Sequence, residues 1–283
     1  MQIFNWFLLT NSVCLCYYIY GNIHKSHPRY LNMTMQEILI PSTLDGTRQP
    51  SLYWKSPSAE NRPLLVGLHT WSYDRFNQIE KLVPVAEEYD FNLLLPEFRG
   101  PNLTTNPAPT EACGSELAMR DIKDAIDYAV QNEGADPDHV LLFGESGGGH
   151  MALMMAGYVP NCFEAIAASV PITDLKKWAD YNPHYRPHVL ACCNSDETEM
   201  AKRSPMSYVD TIARANLKIF HGKFDESVPF THSVELFNAI VAKYPRSRVF
   251  LDVFDGGHQT DMHEALYWLM SQYKPTQKNA VSG

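Results

Sequence analysis

The stretch His139–Tyr158, HVLLFGESGGGHMALMMAGY, decides the fold. Val140 to Phe143 is a short apolar run, the form a strand takes when both of its faces are buried. His150 to Gly157 carries long apolar side chains suited to a helix. Between them lies Gly144-Glu145-Ser146-Gly147-Gly148. A serine in Gly-x-Ser-x-Gly, where a strand turns sharply into a helix, sits on a nucleophile elbow: the tight turn pushes the hydroxyl out at the sheet edge, and small neighbours keep clear of it. Ser146 is therefore the candidate nucleophile. The five-residue pattern is common by chance, and a glycine-rich packing turn is the bland alternative; the flanking strand and helix give the motif its weight.

The same alternation of apolar strands and amphipathic helices extends both ways. Upstream, Tyr30 to Pro41 and Pro50 to Lys55 predict an antiparallel edge pair, with Asp45-Gly46 supplying the turn. From Arg62 a β/α rhythm begins: strand Leu64–Leu68, helix Phe76–Tyr89, strand Phe91–Pro96, a long Pro- and Asn-rich loop Gly100–Gly114, and helix Glu116–Asn132 opened by Ser115. Downstream come strand Ala165–Ile172, then strand Leu217–His221, helix Thr231–Lys243, strand Arg248–Phe254 and a closing helix near Thr260–Tyr273. Such alternation predicts an α/β chain with a mostly parallel, doubly wound sheet. Residues 173–210 break the rhythm with prolines, aromatics and Cys192-Cys193, and are expected to form a short cap over the site.

Composition narrows the classes. With 45% hydrophobic and 19% charged residues, the 283-residue chain has an ordinary globular balance. A net charge of -9 argues against nucleic acid as a partner, since no basic stripe is available to neutralise phosphates. The opening segment MQIFNWFLLTNSVCLCYYIY is apolar, but no Lys or Arg precedes the run and no clear cleavage site follows it. Asn5, Thr10, Asn11 and Ser12 interrupt it below the length of a comfortable spanning helix. Residues 1–25 are thus expected to be a degenerate signal peptide or N-terminal anchor, the only membrane contact expected, ahead of a domain at 30–273 and a frayed tail at 274–283. Export or anchoring is favoured over a cytoplasmic location. Six cysteines show no CxxC or Cys/His metal spacing, and neither metal nor organic cofactor is expected. Buried free thiols are favoured over a Cys113–Cys162 bridge or one using Cys192 or Cys193. His184 and His188 have ligand spacing, but Pro187 between them argues against a shared helix.

A serine hydroxyl is a poor nucleophile at neutral pH and needs a base held by a carboxylate. Asp225 follows a predicted strand end in HGKFDESVP, and His258 follows the next in FDGGHQTD. The chain order Ser146, Asp225, His258 suits three loops that open at one carboxyl edge of a parallel sheet. Asp174, after the preceding strand, is the competing acid. The oxyanion donors are expected from the Gly147 and Trp71 backbone N–H groups, the latter in His69-Thr70-Trp71-Ser72. Trp71, Arg99 and Trp178 are the candidate substrate contacts.

On Gly144–Gly149, His221–Pro229 with Asp225, Gly257-His258 and Phe98-Arg99-Gly100, the chain resembles the α/β-hydrolase superfamily, closest to the prolyl oligopeptidase family of serine hydrolases and related esterases. The resemblance spans roughly residues 60–272. It implies an α/β-hydrolase fold and an acyl-enzyme mechanism. Two departures, the lack of a propeller and His69-Thr70-Trp71 in place of a His-Gly oxyanion loop, favour a serine esterase acting on small or sugar-linked acyl esters. A serine peptidase acting on short peptides is the alternative, and a catalytically silent binding protein the contrasting class. A dehalogenase would need a carboxylate at position 146.

Overall fold

Residues 35–58 and 61–274 are described by the structure, a computed structural model. The expectations for the opening segment, for Cys14 and Cys16, and for the tail beyond 274 lie outside the described residues. Strands β1 (Gln36–Pro41) and β2 (Arg48–Trp54) pair antiparallel, with Gln36 opposite Tyr53 and Gly46 at φ 75 in the turn between them. Then follow β3 (Arg62–Leu68), α1 (Ile79–Tyr89), β4 (Asn92–Pro96), α2 (Glu116–Glu133), β5 (Ala135–Glu145), α3 (Gly147–Tyr158) and β6 (Ala165–Ser169). The chain closes with β7 (Leu217–Gly222), α8 (Thr231–Lys243), β8 (Val249–Phe254) and α9 (Met262–Gln272).

These strands form one eight-stranded sheet in the order β1-β2-β4-β3-β5-β6-β7-β8. β2 pairs antiparallel with β4, and every later pairing is parallel. This is the α/β-hydrolase arrangement. The reason is local: side chains alternate across a strand, and in β3 both sets are apolar. Leu64, Val66 and Leu68 share one core with Ile122 and Ile126 of α2 and Met151 and Met155 of α3. The opposite face meets α1, since a Cβ at Gly67 would lie 2.3 Å from Leu82. Phe220 of β7 and Trp268 of α9 stand 6.4 Å apart, centroid to centroid. Leu64, Leu65, Leu68, Leu141 and Leu142 are fully buried; each contributes about 1.5–3 kcal/mol of transfer free energy.

Residues 173–210 are more regular than the sequence suggests. They hold α4 (Leu175–Tyr181), α5 (Arg186–Cys192), α6 (Glu197–Lys202), a 3-10 turn (Pro205–Tyr208) and the start of α7 (Val209–Ile212). Pro187 does not prevent a helix; it occupies the first turn of α5, where its missing N–H has no intrahelical partner to lose. His184 precedes that helix, and its ring stands 6.4 Å from that of His188. Among the described residues no group of three or more His, Cys, Asp or Glu side chains could hold a metal ion. The two thiols of the alternative Cys113–Cys162 bridge lie in different clusters: Cys113 packs with Cys192 and Cys193, while Cys162 packs against the main core. All four are free thiols.

Candidate active site

β5 ends at Glu145 and α3 begins at Gly147, so Ser146 alone makes the turn, at φ 54 and ψ -117. A positive φ costs a non-glycine residue energy, and such strain persists where the surroundings over-determine it. Here the Ser146 N–H donates to the Ser169 carbonyl at 2.9 Å, and the His150 N–H returns to the Ser146 carbonyl at 2.9 Å. The hydroxyl is left at the carboxyl edge of the sheet.

The loops after β7 and β8 deliver their side chains to the same edge. Ser146 Oγ stands 2.9 Å from His258 Nε2, and His258 Nδ1 stands 2.7 Å from Asp225 Oδ2. With Nδ1–H donating to the carboxylate, Nε2 is left to accept from the serine. Asp225 Oδ1 accepts from the Ser227 and Val228 N–H groups at 2.9 and 2.8 Å. Burial works against the Asp225 charge, but hydrogen bonds from His221 and His258 outweigh it and hold the carboxyl well below the usual carboxylate range. The rival acid, Asp174, caps α4, its Oδ1 accepting from the Lys177 N–H at 3.0 Å.

The loop 69–72 reaches the elbow closely enough that no side chain fits between them. A Cβ on Gly147 would lie 2.4 Å from the Trp71 nitrogen. Glycine is required there for that approach. Neither the Trp71 N–H nor the Gly147 N–H donates to a protein acceptor among the described residues, Gly147 being the first residue of its helix. The loop is braced by Thr70 N–H to Asn77 Oδ1 at 3.0 Å and Asn102 N–H to the Trp71 carbonyl at 2.8 Å. His69, its pKa lowered by burial, stacks on Phe98 at 3.9 Å, with Nε2 2.7 Å from the Glu97 carbonyl oxygen and Nδ1 2.9 Å from that of Thr70.

The expected substrate contacts are corrected by this geometry. The Arg99 side chain is 3% exposed and bound by Asp121 at 2.5 Å, Glu111 at 2.7 Å and Asp45 at 2.9 Å. Its donors brace the turn and leave none for a substrate carboxylate. Trp178 is 1% exposed, and its indole N–H donates to the Ser227 carbonyl at 2.8 Å. The Trp71 indole, 2% exposed, packs edge-on against it at 4.7 Å. Both rings belong to one apolar cluster with Val228, Leu175 and the three clustered thiols. Trp71 stays at the site through its backbone alone.

Sequence reasoning missed His221. Its fully buried ring sets Nε2 2.8 Å from the Val228 carbonyl and 3.3 Å from Asp225 Oδ2, with Nδ1 2.7 Å from Ser233 Oγ. Two acceptors facing Nε2 fix the proton there. The His-Gly-x-x-Asp spacing contained the signal, since four residues across a strand end bring the ring back to the carboxylate.

Comparison with known proteins places the chain in a family. The chain is 24% identical to an acylamino-acid-releasing enzyme of Mus musculus over 259 residues, 82% of this chain and 33% of that protein. It therefore spans about a third of the length of the curated relatives it first matches. Among solved structures it superposes on a Pyrococcus horikoshii acylaminoacyl peptidase with a TM-score of 0.65 at 16% identity, covering 89% of this chain and 42% of that one. A Pyrococcus furiosus esterase superposes with a TM-score of 0.66 at 15% identity, over 87% of this chain and 92% of its own. Residues 115–279, more than half of the chain, match the model described as the prolyl oligopeptidase family. With that match the chain belongs to the prolyl oligopeptidase family of serine hydrolases.

Proposed function

We propose that Ser146, His258 and Asp225 form a catalytic triad that cleaves the amide bond of acylated amino acids or short peptides through an acyl-enzyme. The observation that carries the chemistry is the continuous row from Ser146 Oγ to His258 at 2.9 Å and on to Asp225 at 2.7 Å. Ser146 attacks the carbonyl carbon as His258 Nε2 takes its proton. Asp225, kept ionised, holds the Nδ1 tautomer and stabilises the imidazolium. The oxyanion accepts from the Trp71 and Gly147 N–H groups. His258 then gives its proton to the leaving nitrogen, and water repeats the sequence on the acyl-serine.

The choice of an amide bond rests on likeness to the acylamino-acid-releasing enzymes along 82% of the chain. Of the two grounds for an ester, the lack of a propeller has no footing, because the chain spans 33% of the mouse enzyme's length; the other is His69-Thr70-Trp71 in place of a His-Gly loop. Ester hydrolysis stays as a second reading, favoured by the esterase whose own length is 92% covered. Acyl-aminoacyl p-nitroanilides and matched p-nitrophenyl esters, each compared with Ser146→Ala, separate the two. Anilide kcat/KM well above the Ser146→Ala blank supports the peptidase reading; turnover confined to esters overturns it in favour of the esterase.

A further inference from the structure

The mechanism gives no task to Glu145, immediately before the candidate nucleophile, or to Thr260, two residues after the candidate base. Glu145 is 8% exposed at the end of β5, and its carboxylate is divided between two elements. Oε1 is ion-paired with Lys81 of α1 and lies 3.5 Å from Gln78 Nε2. Oε2 accepts the Thr260 hydroxyl at 2.7 Å. A carboxylate acceptor makes this a charge-assisted bond, stronger than one between neutral groups.

Its place in the loop matters more than its strength. The segment from β8 to α9 carries His258 behind Gly256-Gly257. On its leading side it is tied to the β7 loop by Lys223 N–H to the Phe254 carbonyl at 2.9 Å, Phe224 N–H to the Gly256 carbonyl at 2.8 Å, and the His258–Asp225 bond. Past His258, the hydrogen bond that returns the loop to the sheet before α9 begins is the one from Thr260 to Glu145, among the described residues. The imidazole is thus anchored from both sides, and the second anchor is the neighbour of the serine it must reach.

We infer that Glu145 is a positioning residue which, acting through Thr260, fixes the distance between His258 Nε2 and Ser146 Oγ. The inference rests on the hydrolase reading above. Lys81 neutralises the carboxylate, so the anchor adds no net negative charge beside the nucleophile. With the anchor cut, the loop pivots on its leading ties, and a misplacement on the order of 1 Å at a reacting group lowers rate by up to about a hundredfold.

Thr260→Val removes the hydroxyl at nearly constant volume, and Thr260→Ser restores it. In steady-state hydrolysis of an acyl p-nitrophenyl ester, Thr260→Val is expected to lower kcat at least about tenfold with KM within about twofold. Thr260→Ser should recover most of the loss. Adding Glu145→Ala to Thr260→Val should cost less than the product of the two single losses, since both cut the Thr260 link while only the former also frees Lys81. Thr260→Val should still react to completion with a fluorophosphonate, more slowly. Wild-type kcat in Thr260→Val, no recovery in Thr260→Ser, or multiplying losses in the double variant would overturn the inference. A parent protein that a fluorophosphonate does not label at Ser146 would overturn the hydrolase reading instead.

Discussion

A methyl group added at position 147 tests the join between the elbow and the oxyanion loop. The Cβ of Gly147→Ala would stand 2.4 Å from the Trp71 nitrogen and 2.5 Å from its Cα. Cβ contacts below 3.0 Å essentially never occur, so the two backbones must part by about 0.6 Å, the difference between 3.0 and 2.4. Gly147 is not among the positive-φ residues, so alanine brings no backbone strain of its own. An oxyanion donor works in a window of about 2.7–3.1 Å, which a shift of this size overruns. Loss of one donor costs about 10²–10³ in kcat, or about 2.7–4 kcal/mol of transition-state stabilisation. Stopped-assay kinetics on a chromogenic acyl substrate should show kcat down about a hundredfold or more, with little change in KM. A thermal melt alongside establishes that the variant is folded. A folded Gly147→Ala protein with wild-type kcat would refute an oxyanion held between Trp71 and Gly147.

Asp225→Asn should leave the fold intact and lower kcat about 10⁴-fold, because an amide no longer dictates the His258 tautomer; a loss under tenfold in steady-state assays would contradict that role. Burial holds His150 and His232 at about 4, against an ordinary value of 6.5. Both rings take protons on unfolding before they do in the native state, so their contribution is intact above about pH 6.5 and is lost as pH falls toward 4. Each is worth on the order of 3 kcal/mol across that window. Denaturant melts from pH 7.5 to 4.5 should therefore show falling stability, and a flat profile would count against it. Arg99→Leu leaves Asp121 unpaired in a buried place and should destabilise by about 3–5 kcal/mol, with KM unchanged in the folded fraction; a selective rise in KM would restore a substrate-binding role.

Much of this molecule is legible in its sequence because a parallel sheet covered on both faces needs apolar runs. Leu64–Leu68 and Val140–Phe143 are such runs, and strands fall on them. β5 is longer than its apolar part. Ala135 pairs with Arg62 across Asp136, Pro137 and Asp138, residues whose polarity hides a strand end that lies near solvent. The helices of residues 173–210 were hidden for a different reason: Pro187 and Pro205 open short helical turns, whereas composition alone suggests they break them. At the candidate site, motif spacing pointed to Ser146, Asp225 and His258, three residues that the structure brings within hydrogen-bond distance of one another. Direction was not legible. Arg99 and Trp178 have suitable side chains for binding, but the backbone turns both inward, and only tertiary packing decides that. Glu145 and Thr260 were invisible for the converse reason, being ordinary residues whose meaning comes from a bond across 115 positions.

In the proposed triad the hydroxyl of Ser146 is made nucleophilic by its neighbours. Mass-spectrometric mapping after brief exposure to a fluorophosphonate tests it most directly. One adduct per chain is predicted, on the peptide containing Ser146, with labelling abolished in Ser146→Ala and slowed at least a hundredfold in His258→Ala. An unmodified Ser146, or equal labelling with and without the His258 imidazole, would contradict the account.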